Sequence, residues 1–383
     1  MEKSILVYHN QLLPISEMFI YNQSVKLRNY VAYFLGAKQQ KGPRIVLPED
    51  RQYVINPSNY TGRVRETLFK LFGYVPTGVR KWVSDFNPRL VHAHFGFDGA
   101  IALPLAKQMN LPLVVSFLGT DATLKDEYAK KGYIIQRLYL LRRLKLIERT
   151  TRVIVPSIYL KRKVMEQGFP SEKISLIYHG VDLSECLPSS EPPDSDSILF
   201  VGRLIRRKGL PFLIDAIHQI REQFPNACLT VIGDGPERSN YESLAAKSLG
   251  NNVKFLGSQP HHVVREHMAR AYVFSMPSIT EPSGEVETFG LVFAEAQAFG
   301  VPVVSFNSGA SAEVITHEKT GFLAEEKNTQ ELAHYLRMLF ENPNLRNRMG
   351  LAAREKVEEQ FDLKVQNRKL ENLYDEVSAS YTQ

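Results

Sequence analysis

Cysteine is nearly absent. Cys186 and Cys228 are the only two in 383 residues, they stand in different parts of the chain, and neither has metal-like spacing around it. A disulfide scaffold is therefore excluded, and two free thiols fit a reducing compartment. No run of 18 or more uncharged apolar residues exists, and the apolar patch at residues 5–8 is followed at once by His9, Asn10 and Gln11. The reading is a chain with neither a membrane span nor a signal peptide, expected in the cytoplasm. What is present is ordinary: 44% apolar and 23% charged residues, with 23 Gly and 21 Pro, which excludes disorder, collagen and coiled coil. The length suits two domains, each able to bury its own core.

Acidic charge is scarce in the first half. Residues 1–185 carry a net charge of +12, whereas residues 186–383 carry −6. The basic half wants an anionic neighbour, such as phosphate on a substrate, an acidic membrane surface or nucleic acid. No aromatic-basic signature of nucleic-acid recognition is present, so nucleic acid is not expected as a partner.

Short β-branched runs alternate with helical patterns, which favours parallel α/β architecture. Strands are expected at 4–8, 44–47, 90–92, 113–117, 152–156 and 174–178, then at 198–201, 228–232, 253–255, 272–276 and 302–305. Helices are expected at roughly 209–223, 236–248 and 290–299, and the tail at 329–382 reads as three helices. Between the halves, residues 188–197 (PSSEPPDSDS) cannot build a core and read as a linker. In open parallel sheets, ligands bind beyond the carboxyl ends of strands, so motifs are sought there.

Three segments follow expected strands. In the first, residues 200–209 (FVGRLIRRKG), Gly202 allows close backbone approach, and Arg203 and Lys208 suit the oxygens of a diphosphate. In the second, residues 286–296 (VETFGLVFAEA), the amides of Phe289, Gly290 and Leu291 open a helix that favours an anion. Glu295 then sits about one and a half turns into that helix. A carboxylate accepts two hydroxyl hydrogen bonds at once, so Glu295 suits a ribose diol and Glu287 a sugar hydroxyl. The third, Gly233-Asp234-Gly235-Pro236, is weak as a dinucleotide fingerprint and reads equally well as a strand-to-helix turn.

Together and in this order, these motifs resemble the C-terminal domain of the retaining family 4 glycosyltransferases of the GT-B fold, the group 1 glycosyl transferases, of the bacterial cell-surface polysaccharide type. The resemblance covers residues 198 to about 360. It implies an α/β protein of two Rossmann-like, doubly wound parallel-sheet domains facing across a cleft, with a C-terminal helix crossing back to the first domain. The expected divisions are an acceptor domain at 1–185, a linker at 186–197, a nucleotide-sugar domain at 198–362 and the returning helix at 363–383. The implied activity is transfer of a hexosyl group, with retention, from a UDP- or GDP-linked sugar to a carbohydrate or lipid-linked acceptor. No cofactor is held permanently and no metal is required.

By the same resemblance Arg203, Lys208 and Glu287 form the catalytic set, with Gly202, Glu295, Phe289, Gly290 and Leu291 on the donor. Ser283 and Gly284 lie against the sugar and Gly257 near the base. On the acceptor side, His94 and Gly96 belong to a His-rich loop and Asp121 to the strand-loop after it; Ser16 is a further contact for acceptor or phosphate. Leu118 stands where many relatives carry a histidine that touches the donor sugar, which is a departure from the family pattern. Residues 130–145 mix apolar and cationic positions at helical spacing, as an interfacial helix does. An anionic surface on the inner face of the cell membrane is therefore a further expected partner. The alternative kept open is a GT-B nucleotide-sugar epimerase, which needs no acceptor.

Overall fold

The computed structural model describes residues 3–14, 17–40, 42, 45–187 and 193–381. The chain forms two compact units, one of Met1–Tyr178 with Lys364–Gln383 and the other of His179–Leu363. The first unit holds a seven-stranded sheet of β1 (Lys3–Gln11), β2 (Tyr30–Lys38), β3 (Gln52–Asn56), β4 (Val91–His94), β5 (Leu113–Ser116), β6 (Arg152–Val155) and β7 (Ile174–Leu176). Its order is β3-β2-β1-β4-β5-β6-β7, and every pairing is parallel. The second holds β8 (Ser197–Val201), β9 (Cys228–Ile232), β10 (Val253–Gly257), β11 (Val273–Ser275), β12 (Val303–Phe306) and β13 (Gly321–Ala324), in the order β10-β9-β8-β11-β12-β13, again all parallel.

Because side chains alternate across a strand, β1 feeds two cores. Leu6 and Tyr8 join Val91, Ala93, Val115 and Val153 on one face. Ile5 and Val7 join Phe34, Val114 and Ile154 on the other. This second face is covered by the last helix, Leu363–Tyr381, whose Leu370, Leu373, Tyr374 and Val377 recur at helical spacing in the same core. Each such side chain contributes about 1.5–3 kcal/mol when buried. Glu371 accepts hydrogen bonds from the amides of Arg28 and Asn29 at 2.6 and 2.7 Å, and the Tyr374 hydroxyl meets His92 at 2.6 Å.

Residues 45–47 are not a strand, contrary to the expectation for 44–47; residue 44 lies outside the described residues. Ile45 and Leu47 are both buried, and the Ile45 amide bonds the carbonyl of Leu13 rather than a ladder partner. An alternating burial pattern therefore arose from a covering segment. The ladder positions belong instead to β2 and β3, and the four-residue β13 was also not expected. The first stretch after Tyr178 belongs to the second unit, where Val181 bridges Asp362 and Arg354 donates to the carbonyl of Cys186 at 2.6 Å.

Candidate donor site and acceptor-side loops

In the second unit the strand order reverses between β8 and β11, the position where an α/β sheet opens a crevice at its carboxyl edge. The loops beyond β8, β9 and β10 interlock by backbone. Gly202 donates to the carbonyl of Ile232 at 3.0 Å, and Gly233 to that of Gly257 at 2.8 Å. A Cβ on Gly233 would stand 1.9 Å from the Gly202 carbonyl oxygen. Gly257 sits at a register shift, with φ +69°. Gly209, with φ +70°, opens the helix Leu210–Ile220 and lies so close to β11's exit that a Cβ would meet the Pro277 oxygen at 1.8 Å.

Gly209→Ala is therefore expected to cost about 3 kcal/mol or more, combining left-handed strain with a backbone clash. That corresponds to a fall of roughly 6–12 °C in melting temperature. An unchanged thermal transition would mean that the turn does not pack on Pro277.

The four cations beyond β8 divide into two kinds. The Lys208 ammonium lies 2.5 Å from Glu287 Oε2, and Arg207 lies 3.7 Å from Glu285. Arg203 and Arg206 are exposed and form no ion pair among the described residues. Burial tends to raise the Glu287 carboxyl, but Lys208 and then Arg207 hold it below its ordinary value, so it stays ionised. Its backbone is pinned as well: Ala310 donates to the Glu287 carbonyl at 2.9 Å, and Gly309 leaves no room for a side chain there.

Gly290, with φ +81°, precedes the helix Leu291–Ala298, which leaves the first amides of that helix without intrahelical partners. Glu295 rides on this helix. Burial pushes its carboxyl up to about 7, with Arg265 opposing only in part. Ser283 and Gly284 form a turn closed by Glu281 donating to the Glu285 carbonyl at 2.9 Å, and Ser283 Oγ donates to Glu285 at 3.3 Å. The sequence reading missed His179, whose ring edge packs on Phe289 at 5.3 Å and which burial holds neutral, its pKa lowered to about 4.

In the first unit the order reverses between β1 and β4. His94 is buried, with its ring 4.2 Å from that of His92. His92 also bonds Ser116 Oγ at 2.7 Å, and burial lowers its pKa to about 3, which makes it a neutral structural residue. Asp121 is buried too and accepts from the amides of Gly96 (2.6 Å), Gly119 (2.8 Å) and Leu118 (3.2 Å). It thereby shapes the loop that carries Leu118, and burial raises its carboxyl to about 6 against the pull of those amides. Gly96 is required by closeness, since a Cβ would meet the Phe117 ring at 2.3 Å. Ser16 lies outside the described residues.

A second cluster here had no signal in the sequence. His9, near the end of β1, places Nε2 2.6 Å from Glu17 Oε2 and 3.9 Å from Asp98 Oδ2, while Nδ1–H donates to the Gln11 carbonyl at 2.5 Å. Burial favours the neutral ring, but Asp98 and Glu17 overcome it and raise the His9 pKa to about 9.

A family model for glycosyl transferases group 1 matches residues 188–356, and one for glycosyltransferase family 4 matches residues 40–185. The chain belongs to the group 1, family 4 glycosyltransferases. It is 28% identical to the amylovoran biosynthesis glycosyltransferase AmsK of Erwinia amylovora, over 89% of this chain and 83% of that one. A GDP-mannose-dependent monoacylated alpha-(1-6)-phosphatidylinositol monomannoside mannosyltransferase of Corynebacterium glutamicum is 36% identical, over 45% of each chain. The crystal structure of Anabaena Alr3699/HepE in complex with UDP-glucose superposes with a TM-score of 0.75 at 20% identity, covering 97% of this chain and 99% of that one. The fold is therefore GT-B, built from two parallel-sheet α/β domains.

Within this transferase the group 1 match takes in Gly202, Arg203, Lys208, Glu287 and Glu295, whereas the family 4 match begins downstream of His9 and Glu17. Among the described residues no cluster of three or more His, Cys, Asp or Glu could hold a metal ion, and no helix is long and apolar enough to cross a membrane. Nothing in the site or in these relatives supports the epimerase alternative.

Proposed function

We propose that the chain transfers a hexosyl group, with retention, from a UDP- or GDP-linked sugar to a hydroxyl of a carbohydrate or lipid-linked acceptor, in making cell-surface polysaccharide, lipopolysaccharide or glycolipid. The observation that carries this reading is the Lys208–Glu287 pair on a glycine-lined sheet edge, with Arg203, which has no ion-pair partner among the described residues, in the same loop after β8. The UDP-glucose complex of the Anabaena protein and the GDP-mannose dependence of the Corynebacterium relative support the donor class.

In the reaction the bond from the anomeric carbon to the leaving phosphate oxygen breaks, and the acceptor oxygen bonds to that carbon on the same face. The acceptor's proton passes to the leaving diphosphate. Arg203 and Lys208 meet the charge growing on that diphosphate, so the reading needs no metal. Glu287 is ionised and serves as a hydrogen-bond acceptor for a sugar hydroxyl, not as an acid. Ser283, Gly284 and Gly257 complete the donor pocket, and His94, Gly96 and Asp121 belong to the acceptor side.

A panel of UDP-, GDP- and dTDP-sugars, incubated without acceptor, tests this. Slow release of nucleotide and sugar from one donor is expected. No turnover of any donor, together with no thermal shift by UDP or GDP, would remove the reading.

We also propose that the protein works in the cytoplasm, peripheral on an anionic membrane face. The helix Ile134–Arg149 buries Leu138, Tyr139 and Leu146 but leaves Leu141 and Leu144 80% and 81% exposed, beside exposed Arg137 and Lys145. Arg142 donates to the carbonyl of Leu71 at 2.8 Å, which sets the exposed Leu71 and Phe72 next to this helix. Apolar side chains ringed by cations suit a lipid headgroup boundary. Co-sedimentation with phosphatidylglycerol vesicles but not phosphatidylcholine vesicles is expected, and Leu141→Asp with Leu144→Asp should abolish it. Equal recovery with both lipids would refute membrane docking.

A further inference from the structure

The cluster at the end of β1 has an unusual balance of groups. His9 comes from β1, Asp98 from the helix Gly96–Gln108 that follows β4, and Glu17 from the start of the helix Met18–Val25. The three therefore straddle the point where the first sheet reverses its strand order. Phe95 rests its ring edge on His9 at 5.7 Å from a backbone with φ +75°, a strained conformation for a non-glycine residue. Fold stability does not call for such a group, because buried ions can usually be replaced by apolar residues without loss.

Its charge is one-sided, and two of its acceptor atoms are open. One imidazolium faces two carboxylates, leaving a net charge of −1, and its Nδ1–H is already given to Gln11. The Asn10 amide N–H is given to Asp98 at 2.6 Å, whereas Asn10 Oδ1 is buried with no hydrogen-bond partner among the described residues. A carboxylate offers about four lone-pair sites, and the Glu17 side chain is 19% exposed, so a ligand can reach it. Glu17 Oε2 is likewise buried with no hydrogen-bond partner among the described residues, so open acceptors and net negative charge set what the cluster can bind. A phosphate brings only further acceptors and negative charge, whereas a sugar brings O–H donors.

We propose that His9, Glu17, Asp98 and Asn10 form an acceptor subsite that binds an uncharged, polyhydroxylated sugar and rejects a phosphorylated one. This rests on the reading of the chain as a glycosyltransferase whose first unit holds the acceptor. Glu17 binds ligand hydroxyls directly; His9 and Asp98 position it.

Saturation-transfer NMR on the full chain tests the subsite, with the methyl α-glycosides of glucose, mannose and galactose as uncharged probes and glucose 6-phosphate as the charged one. At least one glycoside should bind the wild type, and glucose 6-phosphate should not. Glu17→Gln should weaken the glycoside by about tenfold or more, as expected for loss of charged hydrogen bonds. Glu17 makes no capping bond in its helix, so this variant should fold; Asp98→Asn, which loosens the anchor of Glu17, is the second variant and should weaken the glycoside as well. Binding of no glycoside, unchanged binding by both variants, or preference for glucose 6-phosphate overturns the subsite. Thermal shift by UDP and GDP is read in parallel. A shift without glycoside binding removes the subsite alone, and no shift with any nucleotide removes the transferase reading.

Discussion

Alanine at Arg203 should lower turnover at saturating donor by about 10²-fold or more, because a preorganised cation aimed at charge that grows in the transition state is worth that much in a closed site. Lys208→Ala should lower turnover at least as far, but the two variants should differ in stability. Arg203 is exposed and forms no ion pair among the described residues, so its loss should leave the melting temperature nearly unchanged. Lys208 is the counter-ion of Glu287 at 2.5 Å, and both side chains are less than one-fifth exposed. Removing it strands a carboxylate, so Lys208→Ala should also melt earlier. Steady-state kinetics with the hydrolysed donor, alongside calorimetry, separates the cases. Weaker donor binding with unchanged turnover in both variants would contradict a role at the transition state.

Glu295 yields the second large effect. Two hydrogen bonds from a ribose diol to a carboxylate contribute about 1.5–3 kcal/mol each when charge-assisted, so Glu295→Ala should weaken donor binding by about 10²-fold or more. The free carboxyl is held at about 7 by burial. Diol hydrogen bonds favour its ionised form, so donor binding releases a proton, and affinity should rise as pH increases through about 7. Glu295→Gln should flatten that profile. The stability consequence has the opposite sign. Between the ordinary 4.5 and about 7 the folded chain holds a proton that the unfolded chain has lost, so Glu295 lowers stability as pH rises across that window. A donor affinity that is flat with pH in the wild type would exclude Glu295 from the ribose.

Much of the proposed donor site is legible in the sequence, because it is local. Gly202, Lys208 and Gly209 stand within one strand-turn-helix segment, and Gly290 and Glu295 within the opening of one helix. Helical periodicity at 370, 373, 374 and 377 likewise marks a helix with one apolar face. The alternation of strands and helices is legible for the same reason, although alternation alone misreads the covering segment at Ile45 and Leu47 and passes over β2.

What only the tertiary structure decided are the pairings. Lys208 and Glu287 lie 79 residues apart and meet because β8 and β11 are neighbours in the sheet. His9 meets Asp98 because β1 neighbours β4, and Asp121 turned out to bind backbone amides that no motif names. Which cations of 203–208 lack an ion pair among the described residues, and which carboxylate stays ionised, follows from those meetings. Local sequence sets what a segment can become through periodicity and turn chemistry. Charge state and hydrogen-bonding capacity are set by distance and burial, which exist only once the strands have taken their order.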